Sequence, residues 1–178
     1  VELGMPLFKI PSGELTNGPL LWQFARTGKP LVLSTGMATL AEVEQGLAIV
    51  AHALNADAEP TSVDEVWRGW SRPEWRNSLR HHVTLLHCTS QYPTPFNEVN
   101  LRAMDTLATS FGLEVGYSDH TEGILIPIAA VARGAAGPGQ LFSAEGHWGA
   151  WFSAGDRWLS TSLPLGRVPY GGLPLCRR

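Results

Sequence analysis

The sequence is poor in the residues that most often settle a protein's class. It holds two cysteines, Cys88 and Cys176, among 178 residues. That is too few for a disulfide framework and is in keeping with a reducing cytoplasm. Lysine is as scarce, with only Lys9 and Lys29. An excess of one charge sign is lacking too, since 13 basic residues face 16 acidic ones for a net charge of −3. This balance speaks against nucleic acid and against an anionic membrane surface as partners. No apolar run approaches about 18 residues, so no transmembrane helix is predicted. There is no basic-then-apolar start of signal-peptide type, no internal repeat, and no G-x-G-x-x-G after any predicted strand. What is present suits a globular core: 44% apolar and 16% charged residues, at a length for one domain or two small ones. The chain opens mid-phrase at Val1-Glu2-Leu3-Gly4, which reads as a piece of a longer protein.

Four short apolar runs read as buried strands, at 6–10, 30–34, 83–87 and 113–117. Helical patterns lie between them. One starts at Pro19 and ends near Gly28. The next begins at a capping box of Thr39 and Glu42 and keeps helical spacing through Leu40, Val43, Leu47, Val50 and Leu54. Residues 55–80 read as an inserted helical excursion, in which Ser62 and Glu65 cap a short helix. Its Trp67, Trp70 and Trp75 are expected to cover a core edge. A helix over about 98–111 carries Leu101, Met104, Leu107 and Phe111 on one face. A last apolar helix is predicted over 124–133, with Pro127 in its first turn. Buried strands alternating with helices predict an α/β fold with a parallel sheet, either a TIM barrel or a doubly wound sheet. From about residue 135 the pattern fails. Glycine, tryptophan and arginine dominate there, and no strand or helix of useful length is predicted.

Nearly every predicted strand ends in polar residues. Lys9, Ser12 and Glu14 belong to the first, Ser34 and Thr35 to the second, His87, Thr89 and Ser90 to the third, and Ser118, Asp119 and His120 to the fourth. In parallel α/β folds the carboxyl ends of the strands share one face, and sites are built there. Lys9 inside an apolar strand suggests an anionic partner, since a buried lysine is costly alone. The Ser/Thr-Gly turns at Ser12-Gly13 and Ser34-Thr35-Gly36 offer hydroxyls and N–H groups suited to phosphate, with the helix start near Thr39 beside them. Glu14 could act as a general base or bind a sugar hydroxyl. His120 could be a metal ligand or an acid–base group. His87 reads equally as a site residue or as a satisfied core histidine. Cys88 is its strand neighbour and therefore faces the other way, against a Cys–His nucleophile pair.

Four ordered segments carry a resemblance. They are Phe8-Lys9-Ile10-Pro11-Ser12-Gly13-Glu14, Leu33-Ser34-Thr35-Gly36-Met37, Leu86-His87-Cys88-Thr89-Ser90-Gln91-Tyr92-Pro93 and Gly116-Tyr117-Ser118-Asp119-His120-Thr121. Together with Asn100-Leu101-Arg102-Ala103-Met104-Asp105 they resemble the sialic acid synthase family, which includes N-acetylneuraminate, legionaminate and pseudaminate synthases. The resemblance spans about residues 1–134. It implies a partial TIM (β/α)8 barrel, about strands four to seven, with 135–178 as a divergent tail expected to be disordered or frameshifted.

The resemblance further implies a cytoplasmic, carbohydrate-biosynthetic transferase that condenses phosphoenolpyruvate with an N-acetylated sugar aldehyde and releases phosphate. A divalent metal, Mn²⁺ or Mg²⁺, would polarise the aldehyde. By the same resemblance Lys9, Ser12, Ser34, Ser90 and Ser118 match positions that hold phosphoenolpyruvate. Glu14 and Tyr92 match positions near the sugar or the reacting water, and His120 matches one of a pair of metal histidines. The full-length form is expected to be a homodimer. Where the family's eighth strand and second metal histidine would fall, residues 136–142 read Ala-Gly-Pro-Gly-Gln-Leu-Phe, and His147 is out of place. This makes the chain alone an expected non-enzyme. Rival readings are a non-catalytic remnant, or another phosphate-handling barrel aldolase or lyase.

Overall fold

The computed structural model describes residues 6–135 and the strands Gly139–Phe142 and Trp148–Phe152. All four apolar runs form strands: β1 (Phe8–Ile10), β2 (Leu31–Ser34), β3 (Val83–His87) and β4 (Glu114–Tyr117). They make one sheet in the order β1-β2-β3-β4, with every pair parallel. A doubly wound sheet reverses its order at a switch point, and this one has no reversal.

Side chains alternate across the sheet, so each strand serves two purposes. Ile10, Leu31, Leu33, Val83, Leu85, Val115 and Tyr117 join the helices in one buried core. The intervening residues face the other way. Lys9, Val32, Thr84 and Glu114 lie in one register row there, and Ser34, Leu86 and Gly116 in another. The helix-side face is apolar up to His87 at the end of β3, and the opposite face sets Lys9, Thr84, Glu114 and Ser34 among Val32 and Leu86.

Helix α1 (Gly18–Ala25) starts where Asn17 Oδ1 accepts the Leu20 N–H at 3.2 Å. Helix α2 (Leu40–Asn55) opens with the reciprocal Thr39–Glu42 capping box. It buries Val43, Leu47, Val50 and Ala51 against the sheet core. The excursion forms α3 (Val63–Trp70), with Ser62 at its N-cap, and α4 (Pro73–Ser78). Trp70 and Trp75 cover a core edge as expected, whereas Trp67 is exposed. Trp70 Nε1 donates to Glu44 Oε1 at 2.8 Å, and the Trp75 ring stands edge-on to His52 at 5.3 Å.

The helix predicted from about 98 starts later, as α5 (Arg102–Phe111). Phe96–Glu98 is a separate 3-10 turn, and Asn100 at φ 45° breaks the path between them. Asparagine tolerates that left-handed region better than most residues. Helix α6 (Leu125–Ala132) has Pro127 in its first turn, where no backbone donor is lost. Beyond Ala135 the expectation of no useful strand fails in one place. β5 (Gly139–Phe142) and β6 (Trp148–Phe152) pair antiparallel. Their aromatic residues favour strand, a local signal that the glycine-rich composition obscures. The rest of the tail, with His147 and Cys176, lies outside the described residues.

Candidate active site

The loops after β1, β2, β3 and β4 gather at one end of the sheet, because parallel strands all finish on the same side. Ser12 begins a 3-10 turn just past β1, and its Oγ accepts the Gly36 N–H at 3.0 Å from the loop after β2. Cys88, just past β3, places Sγ 3.2 Å from the same Ser12 oxygen. Ser90 closes on this group from the β3 loop. A Cβ on Gly36 would stand 2.7 Å from Ser90 Oγ.

Ser34 is the last residue of β2 and Ser118 the first after β4. They are only 2% and 1% exposed, and neither hydroxyl has a hydrogen-bond partner among the described residues. Buried hydroxyls are nearly always satisfied, and leaving one unpaired costs about 1–3 kcal/mol. Two orphans at the same end of one sheet mark a place where a ligand would complete the bonding. Thr35 is not free in this way, since its Oγ1 donates to the Leu86 carbonyl at 3.0 Å.

His120 is buried, and three neighbours fix it. Its Nδ1 faces the Thr89 carbonyl, which can only accept, so Nδ1 carries the proton. Nε2 therefore presents a lone pair, and the Tyr92 hydroxyl donates to it at 3.0 Å. The Tyr92 ring stacks on the imidazole with centroids 4.0 Å apart, while its other face is open, leaving the residue 67% exposed. Burial lowers the His120 pKa first, the Thr89 carbonyl opposes this, and the Lys9 cation lowers it further. His120 is thus a neutral imidazole near pH 7, and Lys9 reaches it electrostatically although 111 residues separate them in sequence. The backbone fastens the same loops, as the Thr94 N–H donates to the His120 carbonyl at 2.7 Å.

Glu14 ends the 3-10 turn after β1, half-buried, and its Oε2 accepts the Asn17 side-chain amide at 2.7 Å. Asp119 is buried and accepts from the Thr121 N–H and hydroxyl at 2.9 and 3.1 Å. Burial raises its pKa, and the Thr121 bonds oppose the rise. His87 faces the helix side. Its Nε2 bonds the Val99 carbonyl at 2.8 Å, which ties the ring to the chain before α5. Sequence reasoning did not foresee the Cys88–Ser12 contact or the Thr89 carbonyl that sets the His120 tautomer. No side-chain pattern encodes a backbone carbonyl.

A divalent ion fits these residues poorly. Among the described residues no three His, Cys, Asp or Glu side chains come together to hold one. His120 Nε2 is a single ligand, whereas such ions take several. By themselves these residues do not complete a site for Mn²⁺ or Mg²⁺.

Residues 1–137 match the NeuB family. The chain belongs to the NeuB family. This NeuB-family chain is 47% identical over 134 residues to the N,N'-diacetyllegionaminic acid synthase of Campylobacter jejuni, covering 75% of the chain and 33% of that protein. It is 33% identical over 135 residues to the N-acetylneuraminate-9-phosphate synthase of Homo sapiens, covering 75% and 30%. The fold is similar to the crystal structure of N-acetylneuraminic acid (sialic acid) synthetase from Leptospira borgpetersenii in complex with citrate. The TM-score is 0.59 at 31% identity, over 80% of this chain and 41% of that one. The chain thus spans about a third of the length of the curated relatives it matches.

Proposed function

We propose that the chain carries the phosphoenolpyruvate-binding part of a nonulosonate synthase. The whole protein would condense phosphoenolpyruvate with an N-acylated amino sugar aldehyde, of N-acetylmannosamine type, to give a sialic acid-like product and phosphate. The four parallel strands are then about strands four to seven of a (β/α)8 barrel, within a domain ending near residue 134. The unreversed strand order supports this reading. Its setting would be the cytoplasm and its full-length form a homodimer.

The observation that carries the reading is the pair of orphaned hydroxyls on Ser34 and Ser118. A multiply charged carboxylate-phosphate ligand accepts from such donors and needs a cation beside them. Lys9 supplies that cation, and Ser12 and Ser90 supply further donors at the neighbouring strand ends. Condensation joins C3 of phosphoenolpyruvate to the aldehyde carbon, after which water adds at C2 and phosphate leaves with C–O cleavage. Donors held in place before reaction stabilise charge as it moves. Glu14 is assigned to the reacting water or a sugar hydroxyl, and Tyr92 to the sugar side, where its open ring face lies. If the whole protein holds a divalent ion, it would draw its other ligands from outside the described residues, with His120 Nε2 the one ligand this chain would offer.

The test is calorimetric titration of phosphoenolpyruvate into the chain and its Ser34→Ala/Ser118→Ala variant. Saturable binding that the variant loses is expected. Absence of saturable binding, or equal binding by both proteins, would overturn the reading. A single observation favours the second reading, a binding remnant without turnover: the lone imidazole where a metal site needs several ligands.

A further inference from the structure

Three strand ends meet in one small volume: Ser12 after β1, Gly36 after β2 and Cys88 after β3. Ser12 Oγ accepts the Gly36 N–H at 3.0 Å, and the buried Cys88 Sγ lies 3.2 Å from the same oxygen. A hydroxyl has one proton and two lone pairs. Gly36 takes one lone pair; the Cys88 contact leaves either atom able to donate, and with the S–H donating to the second lone pair the Ser12 proton is left to point elsewhere. We infer that Cys88 is a positioning residue whose thiol donates to Ser12 Oγ and so makes Ser12 a fixed donor toward the anionic substrate. The inference rests on the phosphoenolpyruvate reading above and adds a residue to it.

Two further observations support the assignment. Gly36 is hemmed in by the same group, since a Cβ there would stand 2.7 Å from Ser90 Oγ, 2.8 Å from Cys88 Sγ and 3.0 Å from Ser12 Oγ. Any side chain at 36 would push these short groups aside, so the three loops hold one arrangement. Among the described residues the side-chain hydrogen bond that Cys88 makes is to Ser12, and its chain neighbour His87 points to the opposite face and bonds Val99. The thiol therefore acts through Ser12 and not on the substrate. The unpaired, buried Ser34 hydroxyl, two residues from Gly36, shows that a ligand is expected at this end of the sheet.

The test is calorimetric titration of phosphoenolpyruvate into the full 178-residue chain, compared across Cys88→Ala, Cys88→Ser, Ser12→Ala and the Cys88→Ala/Ser12→Ala double variant. Cys88→Ala should weaken binding about three- to tenfold, the range of one net hydrogen bond. Cys88→Ser keeps a donor and should restore it. Cys88→Ala should add nothing once Ser12 is alanine, since both changes remove the same contact. Wild-type affinity in Cys88→Ala, or losses that simply add, would overturn the inference.

A second measurement needs no ligand. Amide exchange at Gly36, followed by NMR, should quicken in Cys88→Ala as Ser12 turns away, and return to the wild-type rate in Cys88→Ser. If the wild-type chain does not bind phosphoenolpyruvate, the functional reading fails. The Gly36 amide then decides the Cys88 assignment alone, and unchanged exchange in Cys88→Ala overturns it.

Discussion

Ser34 and Ser118 show how a residue can serve function at the expense of stability. Each buries a hydroxyl without a described partner, which costs about 1–3 kcal/mol until a ligand arrives. Ser34→Ala removes that cost and keeps the small volume. It should leave the ligand-free chain equally stable or raise its melting temperature by a few degrees, while lowering phosphoenolpyruvate affinity. Thermal unfolding with and without phosphoenolpyruvate checks both halves. A drop in ligand-free stability would mean that the hydroxyl is satisfied after all. Lys9 works by charge. Lys9→Ala should weaken phosphoenolpyruvate about ten- to a hundredfold, from the roughly 1.5–3 kcal/mol of a charged hydrogen bond, and leave N-acetylmannosamine binding almost unchanged. Equal losses for both substrates in titration would remove Lys9 from its assigned role. Lys9 and the four serines were all readable from strand-end position and motif. The tautomer of His120 was not, because it depends on a carbonyl that only folding brings to Nδ1.

At the scale of elements, a histidine of α2 sits between a ring of α1 and a ring of the helical excursion. His52 is 2% exposed, lies 5.8 Å from the Trp22 ring and 5.3 Å from Trp75, and neither ring nitrogen has a partner among the described residues. Burial holds its pKa below the usual value first, Glu65 opposes this, and Arg72 adds to it. The sign follows by linkage. The unfolded chain titrates near the ordinary histidine value of about 6.5. Between that and the lowered folded value it binds more protons than the native state, so stability rises with pH there. Stability is therefore full above about pH 6.5 and falls as pH drops toward the folded value. Urea unfolding at pH 8, 6.5 and 5 should show the loss, and His52→Phe should flatten part of it. An identical pH slope in that variant would show that His52 is not the group responsible. His87, whose pKa is also lowered mainly by burial, contributes the same sign and accounts for a remaining slope.

At the scale of the molecule, the described residues form a four-stranded parallel sheet with β1 and β4 at its edges, and a separate two-stranded sheet of β5 and β6. A closed (β/α)8 barrel would leave no such edge. Exposed Leu125, Ile128 and Val131 on α6, which follows β4, leave apolar surface beside one edge. Among the described residues no helix is long and apolar enough to cross a membrane. Among the described residues the site offers a single imidazole and the sheet stays open, so the chain should show no synthase turnover. The assay is phosphate release from phosphoenolpyruvate with N-acetylmannosamine and Mn²⁺. Turnover above a His120→Ala control would show that four strands suffice.

The sequence by itself determined the parallel α/β class, since buried strands leave apolar runs and amphipathic helices leave a 3.6-residue period. It determined the strand positions, the Thr39 and Ser62 caps and the end of the sheet where polar residues gather, because each of these is a local property of a few neighbouring residues. The NeuB family was likewise legible in four ordered motifs. Tertiary structure alone decided that the strands run in unreversed order, that His87 bonds the Val99 carbonyl while His120 meets Tyr92 and Thr89, and that Cys88 meets Ser12. These depend on contacts between residues up to 76 positions apart for Ser12 and Cys88, and local pattern carries no information about which loops arrive together. The start of α5 was missed for a related reason. Its boundary rests on one left-handed residue, Asn100, and hydrophobic period passes over a single backbone torsion.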